Sequence, residues 1–353
     1  MGVILPSDPA PLPPPWGPDH DRLHRHLLRH PALLPQGAHL LLAVSGGQDS
    51  MALTGLLDDL RRRHGWTLSL WHGDHGWRAE AAAQGAALAR WAASRDLPLH
   101  TERADPVATT ESLAREWRYA GLRRHAAALG CHHVVTGHTA SDRAETLLLH
   151  LARGSHRQGL ASLRATRPLG ETCQLVRPLL RFSRQDTARI CQEQGWPVWI
   201  DGTNADLRFS RNRLRAEVLP VLEALHPGAT TRIAATAERL AEDTDQEDEL
   251  VSLAMRALES GPQDGEDGPF SLDRQALMAL QPANQRRVMQ AWLRLRRGTC
   301  LPARDLESLL ARLPGHKQTG CHFLTRGWQL SWNGSKLTLS QSRAPTNPPW
   351  RAP

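Results

Sequence analysis

Leu40–Leu57 reads LLLAVSGGQDSMALTGLL. An apolar run of strand length ends in Ser45-Gly46-Gly47-Gln48-Asp49-Ser50, and a helical apolar spacing resumes at Met51. A buried strand that turns through two glycines into a helix is the opening of a βαβ unit. Gly46 and Gly47 can take backbone angles closed to other residues, so an anion can approach the main chain. A helix starting at Asp49 or Ser50 aims uncovered amides and the positive end of its dipole at the same place. The hydroxyls of Ser45 and Ser50 add donors, and Gln48 lies among them. The loop lacks the G-x-x-x-x-G-K-[ST] pattern, so it is not a Walker A loop. Asp49 beside a phosphate calls for a cation, and Mg²⁺ suits it. A plain strand-to-helix turn capped by Asp49 or Ser50 is the competing reading.

Working outward, strand patterns fall at His39–Val44, Thr67–Trp71, Leu97–Glu102, His133–Thr136 and, more weakly, Gln174–Arg177. Helical patterns fall at Met51–His64, Ala79–Arg95, Glu111–Leu129, Arg143–Ala152, Arg184–Gln194 and Asn212–Leu225. This alternation predicts an α/β fold with a parallel sheet, which binds ligands at the carboxyl ends of its strands. His226-Pro227-Gly228 then breaks the pattern. Thr230–Leu258 reads as one long helix, Gln281–Arg312 as two short basic ones, and Thr325–Trp332 and Lys336–Leu339 as strands. The expected division is a Pro-rich disordered lead (1–20), a catalytic α/β domain (21–225), a smaller, mostly helical domain (226–342) and a disordered tail (343–353).

The 353 residues carry a net charge of +7, and Lys317 and Lys336 are the only lysines, so arginine supplies almost all the positive charge. Arginine suits bidentate phosphate contacts and stacking on bases, although a GC-rich genome would enrich it as well. No stretch approaches the roughly 18 apolar residues of a membrane span. MGVILPSDPAPLPPPWGP lacks the basic and apolar regions of a signal peptide. Cys131, Cys173, Cys191, Cys300 and Cys321 form no C-x-x-C pair, which points to the cytoplasm and away from zinc or iron–sulfur binding. His72-Gly73-Asp74-His75 has no third or fourth ligand spaced to complete a metal site.

S-G-G-x-D-S after a first buried strand resembles the PP-loop of the N-type ATP pyrophosphatases. Four further stretches resemble one branch of them, the tRNA(Ile)-lysidine synthetases. His72–Arg78 is similar to their H-x-D-H-G-L-R, with Trp77 for Leu. Thr136–Leu160 (TGHTASDRAETLLLHLARGSHRQGL) is similar to their G-H-H-x-D-D-Q-A-E-T…R-G-S-G…G-L. Gly137, Asp142, Glu145, Thr146, Arg153, Gly154, Ser155 and Gly159 match it, while Thr139 and Ser141 depart from it. Glu111–Tyr119 resembles E-x-x-A-R-x-x-R-Y through Arg115, Arg118 and Tyr119. Asp201–Leu222 (DGTNADLRFSRNRLRAEVLPVL) resembles the D-x-x-N-x-D…R-N-x-x-R…L-P-x-L segment through Asn204, Asp206, Arg211, Asn212 and Arg215, with Phe209 for Tyr, and Arg208, Arg211, Arg213 and Arg215 crowd together there. Asn284–Arg297 resembles their small tRNA-contacting domain more loosely.

The resemblance implies ATP as substrate, Mg²⁺, free lysine, and an isoleucine tRNA with a CAU anticodon. O2 of the wobble cytidine attacks the α-phosphate, pyrophosphate leaves, and the lysine ε-amine then displaces AMP from C2. It implies that Ser45, Gly46, Gly47, Gln48, Asp49, Ser50, His72, Asp74 and Gly137 hold ATP, with Asp49 also on Mg²⁺. Asp49, Asp142 and Glu145 would be catalytic, the last two holding and deprotonating the lysine ammonium. Asp142 and Glu145 are three apart at a helix start and share a face; a capping box with Asp142 as N-cap is the plainer reading. Arg115, Arg118, Tyr119, Arg153, Arg208, Arg211, Asn212 and Arg215 would meet the RNA. The oligomeric state is open, a homodimer included. A tRNA thiolase would need a cysteine pair or cluster that is not spaced here, and a non-catalytic tRNA-binding protein would have no need of the acidic residues.

Overall fold

The computed structural model describes residues 16–76, 81–106, 110–199, 207–260, 270–314, 319–324 and 327–341. The chain forms two compact units, residues 1–242 and 243–353. The first holds β1 (His39–Ala43), β2 (Thr67–Asp74), β3 (Leu99–Arg103), β4 (His133–Thr136), β5 (Thr166–Pro168) and β6 (Gln174–Val176). Its helices are α1 (Pro18–Arg29), α2 (Gln48–His64), α3 (Ala81–Ser94), α4 (Glu111–Ala128), α5 (Ala140–Ala152), α6 (Arg157–Leu160) and α7 (Arg184–Glu193). They continue with α8 (Ser210–Arg213), α9 (Leu219–Leu225) and the start of α10 (Ala229–Leu258), with a π-turn, Leu214–Val218, joining α8 to α9.

The sheet order is β3-β2-β1-β4-β6-β5, and every pairing is parallel except that of the edge strand β5. This is the expected parallel-sheet α/β architecture. Successive leucines of β1 explain its central place. Leu40 and Leu42 point into one core with Leu53, Leu56 and Leu60, and Leu41 points into another with Trp71, Leu122 and Val134. A strand buried on both faces must be apolar throughout. Because β2 lies on one side of β1 and β4 on the other, the strand order reverses there. The crevice for a ligand opens at the carboxyl ends of β1 and β4.

The helix α1 has no counterpart in the sequence reading, and its first turn overlaps the lead expected to be disordered. Pro18 sits at the first helical position, where a missing N–H costs nothing. Leu23 and Leu27 then pack into the main core. The expected helix at Arg143 begins earlier, at Ala140, because Thr139 caps it. Asn212–Leu225 divides into α8, the π-turn and α9.

The second unit holds β7 (Glu259–Ser260), β8 (Phe270–Asp273), β9 (Gly320–Phe323), β10 (Trp328–Asn333) and β11 (Lys336–Gln341). They form an antiparallel sheet of order β7-β8-β11-β10-β9. With α11 (Arg274–Ala279), α12 (Pro282–Arg297) and α13 (Ala303–Arg312), the sheet encloses Met289, Trp292, Leu309, Leu330, Leu337 and Leu339. Beside the expected helices, this unit therefore has more sheet than the sequence suggests. No helix among the described residues is long and apolar enough to cross a membrane.

Candidate active site

The phosphate loop follows β1 and leads into α2, whose N-cap is Gly47. Gly46 has φ +85°, a left-handed conformation that favours glycine. A Cβ there would also stand 2.9 Å from the Trp199 ring, and the Trp199 amide donates to the Gly46 carbonyl (3.0 Å). The first helical bond runs from Met51 N to Gly47 O. The amides of Gln48, Asp49 and Ser50 therefore lie in the turn that leaves donors for an anion. The Ser45 and Ser50 hydroxyls lie 3.2 Å apart and brace the loop, Ser50 Oγ donating to the Gly47 carbonyl. His72 Nδ1 donates to the carbonyl of Val44 (2.8 Å), which fixes the strand end just before the loop. Asp74 accepts from the Gly76 amide (2.8 Å). Just past β4, Gly137 comes so close that a Cβ would lie 2.7 Å from the Asp49 carbonyl oxygen, so only glycine lets the end of β4 meet the first turn of α2.

Asp49 is largely buried. Its Oδ1 accepts from Thr187 Oγ1 (2.5 Å), and its Oδ2 faces Arg184 Nη1 at 3.3 Å. Gln48 Nε2 donates to the Arg184 carbonyl and to Thr187, so the first turn of α7 is tied to the first turn of α2. Burial holds the Asp49 carboxyl above its ordinary range, and Arg184 and Thr187 offset that only in part. Sequence reasoning missed Arg184, Thr187 and Trp199, because nothing in their spacing ties them to the loop.

Beside it stands an acidic–basic cluster. Thr139 is the N-cap of α5, and Asp142 completes a capping box at the third helical position, so it is not itself the N-cap. Its Oδ2 accepts from Thr139 N (2.8 Å) and Oγ1 (3.0 Å), which leaves Oδ1 facing the cluster. One turn on, Glu145 is fully buried. Arg211 Nη2 donates to Asp142 Oδ1 (2.8 Å) and its Nε to Glu145 Oε2 (2.7 Å). Arg215 donates through Nε to Glu145 Oε1 (2.7 Å) and through Nη2 to Oε2 (3.0 Å). The two arginines expected on RNA are thus committed to carboxylates. Glu145, expected to share the ammonium, has both oxygens taken by guanidiniums. Burial alone would raise the Asp142 carboxyl, but Arg211, His138 and the Thr139 bonds hold it below its usual range.

His138, which sequence reasoning passed over although it stands in the same motif, donates or accepts at Nδ1 with Thr136 Oγ1 (2.9 Å). Burial first, and then Arg177, Arg211 and Arg118 against the opposing pull of Asp142, push its imidazole down to about 3. His26 on α1 falls to about 4 by burial and the charges of Arg181, His30 and Arg143. Below the ordinary value of 6.5 the unfolded chain takes up protons that these folded histidines refuse, so stability falls with falling pH. The expected result is a urea midpoint that is flat above pH 7 and drops between pH 6.5 and 4; His26→Asn should make that drop shallower. An unchanged pH profile in His26→Asn would contradict this.

The other expected RNA contacts are dispersed. Arg115 and Tyr119 lie together at the start of α4, with Arg118 on the same turns. Arg153 caps the far end of α5, about 16 Å from Asp142 at the helical rise of about 1.5 Å per residue. Arg208 is exposed before α8, and Asn212 lies within α8. Trp77, Arg78 and 201–206 fall outside the described residues. Among the described residues no group of three or more His, Cys, Asp or Glu could hold a metal ion.

A glycine loop at the switch point, with Asp49 on one side and the Asp142–Glu145 carboxylates on the other, is the arrangement of a PP-loop protein, a family that uses ATP. Residues 21–222 match the PP-loop domain family. The chain is 49% identical to a tRNA(Ile)-lysidine synthase of Parasynechococcus marenigrum (strain WH8102) over 96% of this chain and 99% of that one. It is 46% identical to the tRNA(Ile)-lysidine synthase of Synechococcus sp. (strain ATCC 27144 / PCC 6301 / SAUG 1402/1) over 79% of this chain and 83% of that one. The chain belongs to the tRNA(Ile)-lysidine synthase family. Among solved structures, the U34-tRNA thiolase NcsA of Methanococcus maripaludis, with its [4Fe-4S] cluster, matches with a TM-score of 0.53 and 16% identity. That match covers 63% of this chain and 78% of the thiolase, and it shows the fold alone.

Proposed function

We propose that this protein joins lysine to C2 of the wobble cytidine in the CAU anticodon of tRNA(Ile). The observation that carries the reading is the anion loop after β1 standing beside an ionised Asp142 in the first turn of α5, whose Oδ1 holds one guanidinium nitrogen, that of Arg211. Cytosine C2 bears an amide-like oxygen that is a poor leaving group. Attack of O2 on the ATP α-phosphate forms a new P–O bond and breaks the bond to the β-phosphate, so pyrophosphate leaves. The ε-amine of lysine then attacks C2, the C2–O2 bond breaks, and AMP departs with that oxygen.

Amides of Gln48–Ser50 and the Ser45 and Ser50 hydroxyls would receive the charge that develops on the pyrophosphate. Asp49 Oδ2 and these hydroxyls are hard oxygen donors of the kind Mg²⁺ takes beside phosphates, and the ion would add positive charge at the leaving group. Asp142 would hold the lysine ammonium at Oδ1, in the place Arg211 takes here, and accept its proton. Glu145 is better read as the anchor that keeps Arg211 and Arg215 in place. His72, Asp74 and Gly137 shape the ATP side. Arg115, Arg118, Tyr119, Arg153, Arg208 and Asn212 remain the candidates for RNA contact. The test is to incubate the protein with ATP, labelled lysine and tRNA. Label in the RNA, with AMP and pyrophosphate released, is expected. RNA binding with no label would support the non-catalytic reading, and sulfur appearing in the RNA when a sulfide donor replaces lysine would support a thiolase.

A further inference from the structure

A groove of about 610 Å³ runs between α4 and the β5–β6 hairpin at the sheet edge. Leu113, Trp117, Tyr119, Arg123, Arg167 and Gly170 line it, and it is open to solvent along its length. Two guanidiniums, those of Arg123 and Arg167, line it, and two more, Arg115 and Arg177, act on its Tyr119. Arg115 and Arg167 lie over the Tyr119 ring at 5.2 and 4.5 Å. Arg177 stands behind them, close enough for its charge to act on Tyr119. Arg123 Cδ stands 3.5 Å from where a Cβ on Gly170 would be. Among the described residues none of these four is ion-paired with a carboxylate, whereas the neighbouring Arg124 pairs with Glu102. The carboxylate that does line the groove, Glu116, is exposed and accepts from Ser112 (3.4 Å).

One further fact indicates that an anion suits the groove. Arg177 lies behind it, 3% exposed, and donates through Nη1 to the Arg164 carbonyl (2.6 Å), so its charge acts from within the fold. Burial would raise the Tyr119 phenol, yet Arg115, Arg167 and Arg177 hold it below its ordinary range, so the local field is strongly positive. With two guanidiniums over its ring, Tyr119 organises arginines and is not a free platform for a base.

We propose that this groove binds a phosphodiester of the substrate RNA, next to the nucleotide that enters the active site. This rests on the function proposed above. The groove begins at Trp117, whose ring meets that of His75 (centroids 5.0 Å apart) just past the carboxyl end of β2, on the active-site side of the sheet. A strand leaving the reacting base would pass along it, its phosphate on Arg123 and Arg167 and its sugar on Leu113 and Trp117. Guanidiniums take phosphate oxygens in paired, directed bonds.

The test titrates an anticodon stem-loop RNA into the full chain across a range of KCl concentrations. Arg123→Ala/Arg167→Ala should bind roughly tenfold more weakly, and its slope of log K against log[salt] should be shallower by about 0.7 for each phosphate that is no longer neutralised. ATP affinity should equal wild type, which shows that the fold is intact. Arg123→Glu, a change at an exposed position, supplies the same reading should the double variant unfold. Millimolar inorganic phosphate should leave RNA binding unchanged; its displacing the RNA would indicate a free-phosphate site and overturn the proposal. So would unchanged slopes in both variants. Wild type that binds RNA steeply yet incorporates no lysine would instead sink the proposed function and leave the groove standing.

Discussion

Asp142→Ala is expected to lower lysine incorporation into tRNA by roughly 10²- to 10⁴-fold, the usual contribution of a positioned proton acceptor. Asp142 Oδ2 is held by Thr139, so Oδ1 is the oxygen available to an ammonium, with Arg211 on it at 2.8 Å in this structure. Its ionised state at neutral pH follows from Arg211, His138 and the two Thr139 bonds overcoming burial. Loss of the capping box costs about 1 kcal/mol, and Arg211, deprived of its Asp142 bond, keeps the one to Glu145 Oε2 (2.7 Å), so the variant should be destabilised yet still fold. Binding of tRNA, measured by filter retention, should stay within about twofold of wild type, a range set by the absence of a direct phosphate contact. Near-normal incorporation in this variant would remove Asp142 from the chemistry.

Glu145→Ala should have the largest effect on stability. The carboxylate is fully buried and accepts three bonds from Arg211 and Arg215. Removing one side of a buried ion pair leaves charge uncompensated and typically costs about 3–5 kcal/mol. Arg211 is 35% exposed and partly screened by solvent, so the lower end, about 3 kcal/mol, is expected. The readout is the urea midpoint, with ATP affinity recorded alongside. A shift of less than about 1 kcal/mol would mean that the arginines find other partners and that Glu145 is not their anchor.

The fold was legible where burial leaves a period in the sequence. Leu40, Leu41 and Leu42 are apolar because the central strand is covered on both faces, and His133–Thr136 keeps the bounds its pattern predicts. The α1 helix was hidden because Pro and three histidines mask its apolar stripe of Leu23 and Leu27. The strands of the second unit were partly hidden, since edge strand β9 buries little and carries an exposed Phe323. In the site, residues within one local motif were readable, among them Gly46, Asp49 and Gly137. Charge alone could not separate arginines that face RNA from those that pair with carboxylates. Arg211 and Arg215 meet Glu145 across 66 and 70 residues, and no spacing in the sequence announces that contact.

The proposed order of bond-making is tested by the fate of one oxygen. A tRNA whose wobble cytidine carries ¹⁸O at O2 would be incubated with the protein, ATP and lysine, and the products analysed by mass spectrometry. Adenylation at O2 followed by amine attack at C2 transfers the heavy oxygen to AMP, leaving pyrophosphate and the lysine-bearing base unlabelled. Heavy oxygen in pyrophosphate, in water or still in the base after lysine has been incorporated would contradict the mechanism built on Ser45–Ser50 and Asp142.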